Sequence, residues 1–367
     1  MQIKGATRIH AEEFEKGANF VDLHLDFPVS FGEYAMGRTP FMAASMRVGL
    51  AEMQMHKMRV NYLNDVYARE KEIKDIFALY KKQKHDLFKK KALLFLDSRM
   101  PCDTQLDRNR ALYFVIERAF FPFSDPRRNA DAVELFTREL VELEQANKDS
   151  LSEFINEIVS SGFLRNVQTD CLEVYPRIID MELMLRPALF LDFDKEYNRN
   201  LVAYRVSAHE FLDVKDLYKD IAEIISRAIV LVAGINNLKK RGSHNRFFSC
   251  KGAPRSMHKF ADFSLGSKLN HIDDSWYTFE GSVMDNELRN PIAHYKAEYD
   301  EVTQEITYFP EMEGIKQEHS KSMYFLDFSR RILMAFRELH RLNHLTKCLF
   351  AYYYLRVCHE KGTPCDL

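Results

Sequence analysis

Apolar residues recur at spacings near three, four and seven through residues 43–100, as in Val60, Leu63, Ile73, Ile76, Leu79 and Leu87. That repeat lines one face of a helix. The same stretch is rich in Met, Leu, Lys and Glu, all good helix formers. No glycine occurs between Gly49 and Gly162, a gap that strands joined by tight turns rarely leave, so long amphipathic helices are expected. Pro101, Pro122 and Pro126 punctuate the pattern, and a second helical block is expected over 130–160, capped by Asn129 or Asp131. The alternating segment Asp22-Leu23-His24-Leu25-Asp26 predicts a short strand. Residues 201–211 fit a strand or a helix.

Further along, Leu217, Ile221, Ile224, Ile225, Ala228, Leu231, Ile235 and Leu238 make one broad apolar face over 213–240, and Gly242 is placed to end that helix. Helices are expected at 256–272 and 281–288, with a polar excursion or hairpin at 298–309. A last long helix over 322–357 carries Phe325, Leu326, Phe328, Ile332, Leu333, Phe336 and Leu339 on its apolar side. The expected fold class is all-α: a helical N-terminal region over 1–204 and a compact four-helix bundle over 205–367, with a small hairpin inserted before its final helix. No Pro/Gly/Ser-rich linker marks the boundary near 205, which rests on pattern alone, and no internal repeat is visible.

Composition narrows the function classes. The 367 residues are 46% apolar and 29% charged, enough for a sizeable core. Lys plus Arg (52) nearly cancel Asp plus Glu (54), for a net charge of −2; this excludes a globally basic nucleic-acid coat but leaves room for a local patch. The densest apolar runs, 228–235 and 348–355, fall short of the roughly 20 residues a bilayer span needs, and the first residues lack a signal-like apolar run. The six cysteines are scattered with no Cys-x-x-Cys pair. A cytoplasmic protein with reduced thiols and no membrane contact is therefore expected.

One segment carries legible chemistry: Leu288-Arg289-Asn290-Pro291-Ile292-Ala293-His294-Tyr295. Pro291 biases Asn290 out of the helical region, and Asn followed by Pro is a favoured helix start. One helix is expected to stop at Arg289 and another to open at Pro291. His294 then lies one turn inside the new helix, where the positive end of the dipole favours a neutral imidazole able to accept a proton. Arg289 offers a planar fork suited to phosphate oxygens. Of five Arg-Asn pairs in the chain, only this one has a histidine shortly downstream; Arg337 and His344 also satisfy a loose spacing, but within a continuous helical pattern and without the Asn.

Arg289-Asn290-Pro291-Ile292-Ala293-His294 resembles the Arg-Asn-x-x-x-His motif of the HEPN superfamily, and the resemblance covers roughly residues 210–360. It implies a helical bundle with the motif late in the chain and a metal-independent endoribonuclease without cofactor, acting as a dimer in antiviral defence, abortive infection or toxin–antitoxin systems. By that likeness His294 would serve as base or acid, Arg289 would hold the scissile phosphate, and Asn290 would orient phosphate or histidine, or simply cap a helix. Attack by the ribose 2′-hydroxyl would leave a 2′,3′-cyclic phosphate (or 3′-phosphate) and a 5′-hydroxyl. A homodimer is expected because one Arg/His pair supplies few groups for two proton transfers. Some relatives that pair with a nucleotidyltransferase antitoxin carry Tyr two places after the His; here that place is Lys296, with Tyr295 adjacent to His294, so a modification-type antitoxin is not supported, although a regulatory or antitoxin partner remains open.

Between Asn236 and Lys259 stand seven basic residues and no acid. Lys239, Lys240, Arg241, Arg246, Lys251 and Arg255, with Phe247 among them, suit single-stranded RNA through charge and stacking, and Lys296 would add charge at the motif. The competing reading is a solvated loop whose phenylalanines dock on the core. Lys81, Lys82, Lys84, Lys89, Lys90 and Lys91 read as an exposed helix face. Two other classes stay open: a non-catalytic helical RNA-binding, scaffold or sensor protein, and a metallohydrolase built on Asp22, His24 and Asp26.

Overall fold

A computed structural model describes residues 24–30, 39–194, 196–197, 204–207, 211–273, 276–281, 288, 292, 297–310 and 319–358. The periodic stretch after residue 39 forms α1 (Pro40–Val48), α2 (Leu50–Ala68), α3 (Glu70–Lys81) and α4 (His85–Leu96). Val60, Leu63, Ile73 and Ile76 are buried as their spacing predicts, whereas Leu87 is exposed. The chain turns without glycine here because Gln83 and Asp97 adopt left-handed backbone, at φ 55° and 50°, a conformation that the short polar side chain of Asp97 tolerates better than most. The basic run lies on exposed faces of α3 and α4, where Lys81, Lys89 and Lys91 pair with Glu173, Asp103 and Asp75.

A reciprocal cap opens α5 (Gln105–Phe120): the Asp107 N–H donates to Thr104 Oγ1 at 3.1 Å, and the Thr104 N–H returns to Asp107 Oδ2 at 3.3 Å. The next helix, α6 (Pro126–Ser160), begins before the expected residue 130. Pro126 fits the first helical turn, where no N–H is required, and Asp125 rather than Asn129 or Asp131 is the cap, accepting from the Arg128 N–H at 3.2 Å. Asn147 interrupts α6 with non-helical backbone; its side chain accepts from the Ser150 N–H at 3.2 Å and donates to the Gly242 carbonyl at 3.0 Å. The helices α7 (Phe163–Asp180) and α8 (Glu182–Phe190) follow.

The expected long helix is α9 (Phe211–Arg241). Gly242, at φ 69°, ends it and donates its N–H to the Leu238 carbonyl at 2.9 Å. α9 is long and apolar enough to cross a membrane, yet 83% of its most apolar window is buried inside the protein. The expected helix over 256–272 is instead two short ones, α10 (Met257–Ala261) and α11 (Leu265–Leu269). Ser256 and Ser264 each cap one, so the second serine restarts the helix that the pattern had joined.

Two short strands, β1 (Val29–Ser30) and β2 (Tyr204–Arg205), pair antiparallel. A three-stranded antiparallel sheet, β3 (Ala297–Asp300), β4 (Glu305–Tyr308) and β5 (Lys321–Tyr324), realises the expected hairpin and adds a strand. Pairing with β4 therefore replaces the predicted first turn of the last helix, which begins at Phe325. That helix, α12 (Phe325–Tyr352), runs into a short π-helix (Tyr353–Cys358). It packs on α5, α6, α7, α8 and α9, and is buried on nearly every side. The main apolar core runs from Leu63 to Val357 without a break near residue 205. The described residues are thus mostly helical, and the architecture is built around α12. Cys102, Cys171, Cys250 and Cys348 are free thiols, but Cys358 is held in a disulfide, which corrects the expectation of reduced cysteines throughout.

Candidate functional site

Arg289, Asn290, His294 and Lys296 lie outside the described residues, as do residues 282–287 of the helix expected over 281–288. Within the motif segment, Leu288 and Ile292 are helical and only 0% and 1% exposed. Two core-docked residues four apart thus bracket Arg289 and Asn290 in the chain.

The basic stretch divides. Lys239 pairs with Glu139 of α6, and Arg241 pairs with Asp273, so these two charges are spent within the fold. Phe247 does not offer a stacking face: it is 9% exposed and stacks on Phe260 with ring centroids 5.1 Å apart. This corrects its assignment to RNA binding. Phe248, its neighbour, is 53% exposed. Arg246, Lys251 and Arg255 are exposed, as is Lys240 at the end of α9.

No strand forms at 24–27, where the chain bends. The Ser207 hydroxyl accepts from the His24 N–H and donates to the His24 carbonyl, both at 2.9 Å, so a side chain takes the place of a strand partner. His24 Nδ1 accepts the Asp26 N–H at 3.1 Å, while its ring stacks on Phe27. The Asp26 carboxylate pairs with Arg186 at 2.8 Å. The predicted strand that would set His24 and Asp26 on one face is thus missing from the described residues, Asp26 is paired with Arg186, and Asp22 lies outside the described residues.

Two polar centres that the sequence reading missed lie against α12. In the first, Asp192 accepts from three arginines: Arg59 at 2.7 Å, Arg330 at 2.6 Å, and Arg337 at 2.9 and 2.6 Å. Burial pushes the Asp192 carboxyl up, but Arg337 and its two neighbours overcome this and hold it far below the usual carboxylate range. Arg330 also lines a cavity of about 730 Å³ with Tyr197, Glu280, Tyr308, Tyr324 and Asp327. In sequence those lining residues lie on both sides of the motif segment.

The second centre joins α5 to α12. His340 and His344, one turn apart, share a face of α12. Their Nε2 atoms lie 3.6 and 2.7 Å from Glu117 Oε1, and none of these three atoms has a hydrogen-bond partner outside the group. Both histidines are buried, whereas the Glu117 side chain is 37% exposed. Burial pulls His344 down to about 4 despite its contact with Glu117, so the ring is neutral at neutral pH. Burial raises the Glu117 carboxyl, but the two imidazoles outweigh it and keep it ionised. Behind His340 runs a buried chain of hydrogen bonds. Asn109 donates to Tyr80 and Tyr80 to Gln168, each at 3.2 Å. Gln168 donates to Tyr113 at 3.2 Å, and Tyr113 to Asn343 Oδ1 at 3.0 Å. Asn343 then donates to Tyr175 at 3.0 Å, whose hydroxyl lies 2.8 Å from His340 Nδ1. The His340/His344 spacing was visible in the sequence; Glu117, brought in from a distant helix, was not.

No protein-family model matches this chain, nor does any curated protein or solved structure.

Proposed function

We propose that the chain is a metal-independent endoribonuclease of the HEPN type, acting as a homodimer on RNA. The observation that carries this reading is the docking on the core of Leu288 and Ile292, which flank Arg289 and Asn290 in the sequence, because a phosphate-gripping motif works only from a rigid support. The long α9 and α12, with a hairpin inserted before α12, support a HEPN-like bundle in the C-terminal region.

In this proposal His294 takes the proton from the ribose 2′-hydroxyl, and O2′ attacks the adjacent phosphorus. Arg289 binds the phosphate oxygens and strengthens its hold as charge accumulates on the phosphorane. The partner copy's motif supplies the proton for the departing 5′-oxygen, and Asn290 orients the phosphate or the imidazole. Such a nuclease serves defence by abortive infection or as a regulated toxin, with a control protein as partner.

The test is incubation of purified protein with tRNA, rRNA and mRNA pools in EDTA, followed by end-group analysis. Cleavage leaving cyclic phosphate and 5′-hydroxyl ends, abolished in folded Arg289→Ala and His294→Ala variants, supports the proposal. Intact RNA throughout removes it and leaves the scaffold reading; cleavage that survives both substitutions removes it as well.

A further inference from the structure

We infer that Glu117, His340 and His344 bind one divalent first-row transition ion, with zinc the best match, and that the ion ties α5 to α12. This is independent of the nuclease proposal. The donor set is two imidazoles and one carboxylate, a combination suited to zinc. The donor atoms all lie within 4.8 Å of one another. Around a tetrahedral ion with bonds of about 2.0–2.1 Å, ligand atoms stand roughly 3.3 Å apart. The observed 3.6 and 2.7 Å bracket that spacing. His340 and His344 are fixed one turn apart on a helix packed on all sides, so the adjustment falls to the half-exposed Glu117 carboxylate.

Three further features fit an ion. The facing atoms, His340 Nε2, His344 Nε2 and Glu117 Oε1, are buried and have no partner outside their own group, so an ion seated among them would displace no other hydrogen bond. The exposed edge of Glu117 gives access from solvent and leaves a fourth position for water.

The third feature is the support behind His340. A coordinating Nε2 must be unprotonated, which places the ring proton on Nδ1, facing the Tyr175 hydroxyl at 2.8 Å. Turning the Asn343 amide end for end accommodates this. Tyr175 would then accept from His340 and donate to Asn343 Oδ1, while Asn343 Nδ2 would donate to Tyr113. Tyr113 already reaches the Asn343 backbone carbonyl at 3.1 Å and can donate there. Every hydroxyl in the buried chain keeps an acceptor in this arrangement. The network therefore has two complete proton arrangements, and ion binding selects the one with His340 Nε2 unprotonated.

The experiment uses full-length protein stripped with a chelator, dialysed, and titrated with Zn²⁺ or Co²⁺ alone. Cys250, exposed and 4.0 Å from His271 Nδ1, is replaced by Ser in all samples so that it cannot capture metal. We expect one equivalent of Co²⁺ to produce the intense visible absorption of a tetrahedral N/O site. Zn²⁺ in hundredfold excess over its Kd should raise the thermal midpoint by about 3–4 °C. Glu117→Gln, an isosteric change at the half-exposed rim, and His344→Gln should lose both responses, with an unchanged far-UV spectrum as proof of folding. No Co²⁺ spectrum and no Zn²⁺ shift in the otherwise unaltered protein would overturn the inference. So would full responses in folded Glu117→Gln.

Discussion

Arg337 of α12 holds both carboxylate oxygens of Asp192, at 2.9 and 2.6 Å, and thereby fastens the last helix to the segment that follows α8. Arg59 and Arg330 share the same carboxylate. Asp192→Asn would leave three clustered guanidinium charges without a counter-charge, so we expect a loss of about 3–5 kcal/mol in urea unfolding. The folded carboxyl is held below its unfolded range. Its contribution should be complete above about pH 4 and fade only as the pH falls well below that. A variant within 1 kcal/mol of the parent would show that the cluster is not a fastening.

A different pH response is expected from His56. Its Nε2 lies 2.6 Å from the Asp26 carbonyl, and burial drives the ring down to about 4. Between the unfolded value near 6.5 and the folded value, the unfolded chain binds the extra proton, so stability should fall as the pH drops through that window. The slope should be about 1.4 kcal/mol per pH unit for this one group. Urea midpoints measured in EDTA from pH 7 to 4.5 check this, and His56→Gln should flatten the slope by that amount.

Adjacent phenylalanines should separate RNA contact from packing. Phe248→Ala removes an exposed ring and should weaken single-stranded RNA binding by roughly five- to a hundredfold, the range of stacking energies, with little change in thermal midpoint. Phe247→Ala should cost about 3 kcal/mol or more of stability through loss of a buried ring. Fluorescence anisotropy beside thermal melts distinguishes them; equal effects of the two on binding at matched stability would count against the basic loop as a contact surface.

Gly234 allows α9 to approach α6 closely, because a Cβ there would overlap the Phe154 ring. We expect Gly234→Ala to destabilise by about 1–3 kcal/mol despite the better helix propensity of alanine. Phe154→Leu in the same chain should recover part of that loss in a double-mutant cycle.

Local physics made much of the fold legible. The three-, four- and seven-residue repeat located α2 and α3, the left-handed Gly242 closed α9, and the polar segment near residue 300 became a hairpin. Readings failed where a distant partner decided. Pairing with β4 made a strand of Lys321–Tyr324, and a serine from residue 207 bent the chain at His24. Likewise nothing in the order Phe247-Phe248 says which ring faces inward. His340 and His344 announce a shared helix face, but the carboxylate that meets them depends on how α5 packs, which no local spacing encodes.

The central position of α12 has a consequence for synthesis. It comes late in the chain, yet α5 through α9 all pack on it. Until the ribosome releases that stretch, the faces that α5 through α9 turn toward it have no partner, and they stay open to chaperones or to one another. A nascent chain stalled before Phe325 should therefore be recovered as a protease-sensitive, aggregation-prone species, however complete its individual helices.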